Sequence, residues 1–383
     1  MNIKLTSKEN YSKLILISLS LIIFTTFNNT FIAKPEELAD FNNLLIWLNL
    51  FNWLPIFLLS WCFRNYLREK KQTLLCFKYF LAGSIPVLIS CGLQLWFGFD
   101  KGPYEILNGL IIWFQYPIEG VGGITGLFNN QNITGIWLTI SLAISFGLLK
   151  KENNLVGRFF LVFINCLIIY FIFLTNSRNA LFGLIIAFFV ANGIKKSFIF
   201  LVSSFSFFYI TNFFYLLTNT SPLINSKFIP IGLFSKLDFS YSFLEDRLII
   251  WKEAITLILS RPLSGWGGGT FPYLFPKEKI DFAALHTHNI PLELAYNFGI
   301  PTAIFLSFFV LKIGFYSFKK INYKNKKPNN FFDRYWFLIF LILVISHTSD
   351  ITFFDGRVSI FFSITIASLL NIIHKPLKIK TIK

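Results

Sequence analysis

The chain has 383 residues, of which 54% are apolar and 19% aromatic, and only 14% are charged, against about 25% charged in an ordinary soluble domain. This excludes a water-soluble enzyme and identifies an all-α protein: a polytopic integral membrane helical bundle with about ten transmembrane helices in a single membrane domain, 1–383. The net charge of +16 collects beside apolar runs, so it reports topology and gives no support to a nucleic-acid partner.

Runs long enough to cross about 30 Å of hydrocarbon at about 1.5 Å per residue are predicted at 14–33, 44–63, 74–97, 133–149, 158–175, 180–194, 197–217, 290–311, 335–349 and 358–373. The first follows Lys4, Lys8 and Lys13 with no small-x-small cleavage site before Lys34, and it reads as a retained span. The runs at 180–194 and 335–349 are the shortest. A further apolar piece, Tyr104 to Pro117, reads as re-entrant or interfacial. Cys62, Cys76, Cys91 and Cys166 lie in or beside spans without metal or redox spacing, as small apolar filler does.

Placing the N-terminus inside puts 24 of the 35 Lys and Arg but only 4 of the 19 Asp and Glu on that side, as basic residues distribute in membrane proteins. Both termini are then cytoplasmic. The two long segments, 98–132 and 218–289, face outside. Long loops in compact proteins are usually functional, so chemistry is expected on the outer face.

Within 218–289, Leu244 to Ser260 has helical periodicity, with Leu248, Trp251, Ile255, Ile258 and Leu259 on one stripe. It is expected to lie on the membrane surface against the bundle. Asp246 or Ser242 can cap its start and Pro262 ends it. Arg247 then falls in the first turn, where free N–H groups and the positive dipole end attract anions. The bland alternative for Arg247 is an exposed ion pair with Asp246 or Glu253, which is worth little. Ser264-Gly265-Trp266-Gly267-Gly268-Gly269-Thr270 follows. It is either a bare turn or a segment whose backbone at Gly267 and Gly268 approaches a ligand as an anion-binding nest.

Arg178 sits in a polar break, Thr175-Asn176-Ser177-Arg178-Asn179, between two spans. It reads either as a snorkelling anchor or as a planar fork holding phosphate oxygens. A lone outer arginine among amides favours the fork, since anchoring cations prefer the inside. His286 and His288 bracket Thr287 and precede Asn289. They read as loop-satisfied structural histidines, as metal ligands or as a general base with Asn289 orienting the ring. A metal is disfavoured because the carboxylates within reach in sequence, Asp281 and Glu293, are scattered.

The Asn-Ser-Arg break, Asp246-Arg247-(x)3-Trp251, Pro262-(x)2-Gly265-x-Gly267, and His286-x-His288-Asn289 followed by Gly299 together resemble the O-antigen ligase and polymerase superfamily. Phe128-Asn129-Asn130-Gln131-Asn132-Ile133-Thr134-Gly135 is similar to an Asn-containing segment that this family carries before a span, and it adds Asn132 to the substrate-binding candidates. The resemblance covers about residues 120–300 by motif. It implies a bacterial inner-membrane glycosyltransferase working on the periplasmic face. The donor would be a glycan on undecaprenyl diphosphate, and the acceptor lipid A-core, another lipid-linked glycan or a protein hydroxyl. By matching motifs, Arg178 and Arg247 grip the diphosphate and His288 deprotonates or orients the acceptor hydroxyl, with no cofactor and no metal. Two fixed cations at a departing diphosphate can replace a divalent ion, and direct attack inverts the anomeric centre.

Ligase and polymerase are not separated by these motifs. A small-anion transporter is the alternative from another class. It needs polar groups at mid-membrane, for which Asn165 and Glu293 are the main candidates.

Overall fold

The computed structural model describes residues 8–31, 35–99, 104–106, 111–113, 118, 122–193, 195–199, 202, 206, 241–276, 278, 280, 284–324 and 331–374. The expected span at 197–217 lies almost wholly outside these, as do 218–240 and Asp281. Among the described residues the fold is helical apart from one short hairpin, and seven helices there are long and apolar enough to cross a membrane. The chain divides into two compact units: residues 1–72, 241–340 and 347–383 form the first, and 73–240 with 341–346 the second.

In the first unit, α1 (Lys8–Phe31) is followed by α2 (Leu44–Leu50) and α3 (Leu54–Tyr66), which occupy the expected span 44–63 as two helices. Pro55 stands in the first turn of α3, where its missing N–H leaves nothing unsatisfied. Trp53, buried in the intervening turn, stacks on Phe353 at 5.0 Å. The expected span 290–311 is likewise divided. Gly299, at φ 86, separates α10 (Ile290–Phe298) from α11 (Ile300–Lys324). A Cβ there would lie 2.2 Å from the Leu263 carbonyl oxygen, so glycine is required. The carboxyl-terminal α13 (Gly356–His374) packs on α3 and α11. Ser60 donates to the Ser363 carbonyl at 3.3 Å, and Asn371 to that of Arg64 at 2.9 Å. The small residues Ser363, Thr365, Ala367 and Ser368 on α13 are buried, as close helix packing in a membrane requires.

α8 (Tyr241–Ser260) belongs to the same unit. Its buried positions are Ile250, Ala254 and Ile258, four apart, whereas Leu248, Ile255 and Leu259 are exposed. Of the stripe expected from sequence, Leu248, Ile255 and Leu259 thus face outward, whereas Ile258 belongs to the side that faces the protein. Arg247, seven residues before Ala254, lies on the protein-facing side. A four-residue turn, α9 (Phe271–Leu274), follows.

In the second unit, α5 (Gln131–Leu149) is the buried centre, with α6 (Leu155–Leu174) and α7 (Arg178–Asn192) against it. A Cβ at Gly135 would meet that of Ala180 at 2.6 Å, and one at Gly183 would meet Thr139 Cγ2 at 2.8 Å. Glycines on both helices therefore set the α5–α7 approach. α4 (Lys70–Phe97), nearly all of which belongs to this unit, joins α5 through Ser84 and Ser141, whose hydroxyls are 2.7 Å apart. The expected re-entrant piece is a two-stranded antiparallel hairpin, β1 (Tyr104–Ile106) with β2 (Ile111–Trp113), pairing Tyr104 with Trp113. A hairpin leaves edge N–H and C=O groups that lipid cannot satisfy, which fits the interfacial reading. The remaining long helix, α12 (Phe331–Ser346), has 16 residues.

Candidate functional site

In the first unit, the segment 284–289 enters α10. Asn289 is the helix cap: its Oδ1 accepts the Leu292 N–H at 3.0 Å, and its amide donates to the Thr348 carbonyl at 2.8 Å. Both ends of the Asn289 side chain are thereby engaged, so it positions the loop; the role expected from sequence, orienting a histidine ring, is corrected. The fully buried Thr287 gives its N–H to Glu293 Oε2 at 3.0 Å, while Glu293 Oε1 accepts from Asn297 at 3.0 Å. A buried carboxylate is thus satisfied by the loop it holds, which removes Glu293 from the mid-membrane groups a transporter would use.

This scaffold presents the two histidines. His288 has φ 54, a left-handed conformation that costs energy for a residue other than glycine. Its Nδ1 lies 3.1 Å from Asp350 Oδ1, which also accepts the Ile351 N–H at 2.9 Å. A carboxylate only accepts, so Nδ1 carries the proton and Nε2 is left as the basic nitrogen. His286 lies beside it, with ring centroids 4.1 Å apart, and its Nδ1 accepts the His288 N–H at 3.3 Å. Burial lowers the pKa of His286 below its ordinary value; Glu293 and Asp350 oppose the shift and Arg247 adds to it. Arg247 shares this field: burial lowers its pKa, and Asp350 and Asp246 oppose that. One anion, Asp350, therefore faces both the histidines and the guanidinium.

Asp350 is the residue that sequence reasoning missed. It follows the short run expected to span 335–349, whose helix ends at Ser346. The signal was the polar stretch His347-Thr348-Ser349-Asp350 at that end. Its segment is tied to the start of α10 by Ile290, whose N–H donates to the His347 carbonyl at 3.0 Å, and is closed on itself by His347 Nε2, 3.0 Å from Thr352 Oγ1.

Asp350 also alters the premise on which a metal was set aside. His286, His288 and Asp350 each offer a ligand atom within 4.8 Å of the others, the number of protein ligands in a catalytic zinc site. Both Nδ1 atoms are already in hydrogen bonds, however, and the Arg247 guanidinium adds positive charge to the same cluster. The positive charge of Arg247 opposes a divalent cation, while the Nδ1 hydrogen bonds leave each Nε2 as the ring atom that faces a proton or a ligand.

The glycine segment has a packing role. The Gly267 N–H donates to the Asn297 carbonyl at 3.2 Å and that of Trp266 to the Tyr296 carbonyl at 2.7 Å. A Cβ at Gly268 would lie 2.3 Å from Asn49 Cγ. The expected anion nest is corrected at Gly267, whose donor is used to clasp α10, and Gly268 is closed in by Asn49. Arg261 stacks over Trp266 at 4.0 Å.

In the second unit, the polar break before α7 is bolted to residues 122–124. Asn176, at φ 52, donates to the Gly122 carbonyl, and Ile124 donates to that of Leu174 at 2.9 Å. Ser177 caps α7, so Arg178 stands half-buried in its first turn, where a helix favours anions. Asn132 occupies the first turn of α5, its N–H donating to the capping Asn130 at 2.7 Å.

No curated protein matches the chain. Residues 161–307 match the family model described as O-Antigen ligase, a segment that holds Arg178, Arg247, His286 and His288 and stops short of Asp350. Over that segment the chain is similar to the O-antigen ligase family.

Proposed function

We propose that the protein is an O-antigen ligase-type glycosyltransferase, transferring glycan from undecaprenyl diphosphate to lipid A-core or a related acceptor on the periplasmic face, without a metal and with inversion. The observation that carries the reading is the His288–Asp350 pair at 3.1 Å with Arg247 in the same field. His288 Nε2 takes the proton of the acceptor hydroxyl as its oxygen attacks the anomeric carbon. The bond from that carbon to the diphosphate oxygen breaks, and undecaprenyl diphosphate leaves with the electron pair. Arg247 stabilises the charge that develops there, and the family resemblance gives Arg178 the same task. Asp350 holds the His288 ring and balances the imidazolium that forms.

The test is lipopolysaccharide banding in a deletion strain carrying wild type, Arg178→Ala or Arg247→Ala, with lipid-linked glycan quantified from the same cells. Loss of long chains with accumulated polymeric lipid-linked glycan supports a ligase. Loss with accumulated single repeat units supports a polymerase. Unchanged banding and pools in the deletion strain would sink both readings and leave protein acceptors or anion transport.

A further inference from the structure

We propose that the groove between α4 and α6 binds an anionic phospholipid, with its phosphate between Lys78 and Lys151 and its acyl chains against Ile85, Leu93, Trp96 and Phe160. The proposal is independent of the catalytic reading, since none of these residues belongs to the candidate site.

Two cavities within the second unit compose the groove. One, of about 460 Å³, is walled only by apolar side chains, from Ile85 to Phe97 on α4 and from Phe160 to Phe171 on α6. The other, of about 370 Å³, adds Lys78, Lys151 and Glu152. Ile85 and Phe160 line both, so the apolar chamber runs into the charged one.

The depth fits a lipid. α4 has 28 residues and is about 42 Å long, more than the roughly 30 Å of hydrocarbon. With Trp96 in the aromatic belt at one boundary, about 20 residues back along the helix brings the other boundary beside Lys78. Lys151, in the turn before α6, lines the same chamber, and both lysines are exposed.

The charge selects the headgroup. Glu152 Oε1 accepts the N–H groups of Asn153 and Asn154 at 3.0 Å each, and a Cβ at Gly157 would lie 2.9 Å from Glu152 Cγ. The carboxylate is thus turned to the start of α6, and the charged lining, two ammonium groups and one carboxylate, sums to a positive charge. Basic pockets between helices on the cytoplasmic side hold anionic headgroups, and the charge distribution of the chain puts this end inside.

The test uses the full-length protein, purified and delipidated in detergent, titrated with dioleoylphosphatidylglycerol, dioleoylphosphatidylcholine or inorganic phosphate and read by native mass spectrometry. Phosphatidylglycerol is expected to bind more tightly than phosphatidylcholine, and Lys78→Gln and Lys151→Gln to weaken it by about fivefold each. Neither substitution should move the melting temperature measured without added lipid. Ile89→Trp, which fills the apolar chamber from an exposed position, should weaken both lipids and leave the lysines intact. Equal affinity for the two lipids, or undiminished phosphatidylglycerol binding in the double lysine variant, overturns the proposal. Displacement of the lipid by inorganic phosphate at comparable concentration overturns it in favour of a free-anion site.

Discussion

At the residue scale, chemistry converges on Asp350, a residue 7% exposed that touches His288 and faces Arg247. Asp350→Asn keeps the shape but removes the charge that fixes the His288 proton on Nδ1, and transfer is expected to fall about a hundredfold or more. Normal membrane insertion and a displaced pH–rate profile would mark a positioning role; unchanged kinetics would remove Asp350 from the mechanism. His286 carries a separate expectation. Its folded pKa is lowered by burial from 6.5, so the unfolded chain binds that proton more readily, and its stabilising contribution is lost as pH falls below about 6.5. Melting temperatures measured between pH 5 and 8 should fall toward acid, and His286→Asn should flatten the slope. Arg247 and the two histidines were legible because polar residues are rare and conspicuous between apolar runs. Asp350 was hidden because its 62-residue separation from His288 leaves no local pattern, and hydropathy alone merged the preceding polar stretch with a span.

At the element scale, hydropathy located most helices and missed the breaks within them, because a window about 19 residues wide averages over a three-residue turn. Both the turn at 51–53 and the turn at Gly299 were read through. Each is set by a particular approach of distant chain: Trp53 on Phe353, and Leu263 against Gly299. Gly299→Ala combines a forbidden φ with a Cβ overlapping a carbonyl, and is expected to destabilise by at least about 2 kcal/mol. Loss of monodisperse protein on gel filtration would show it; wild-type yield and melting temperature would contradict it. The same contacts explain Gly267 and Gly268. A glycine run has one sequence signature whether its backbone is opened to a ligand or closed against another helix, and only the partner, here Asn297 and Asn49, distinguishes them.

At the scale of the whole molecule, the membrane bundle was readable from composition, since a chain with a mean hydropathy of +0.60 and repeated long apolar runs has no soluble solution. The number of crossings was less readable: α7 and α12, with 15 and 16 residues, are shorter than the roughly 20 that a perpendicular crossing takes. Division into two units was not legible at all, because the chain enters the second at Thr73 and returns to the first at Tyr241 with no compositional seam. Orientation rests on the asymmetry of basic residues. A carboxyl-terminal fluorescent protein should therefore fluoresce in cells, and an alkaline phosphatase fused there should be inactive; the opposite pair of results would invert the topology and place the His288 cluster on the cytoplasmic side.

The left-handed backbone of His288 decides how the site is best disabled. Alanine at that position combines loss of the imidazole with a conformation that disfavours it by about 1 kcal/mol or more, whereas asparagine adopts that region readily. His288→Asn is therefore the cleaner inactive form: as silent in glycan transfer as His288→Ala, yet melting at a higher temperature and suited to trapping a donor-bound state.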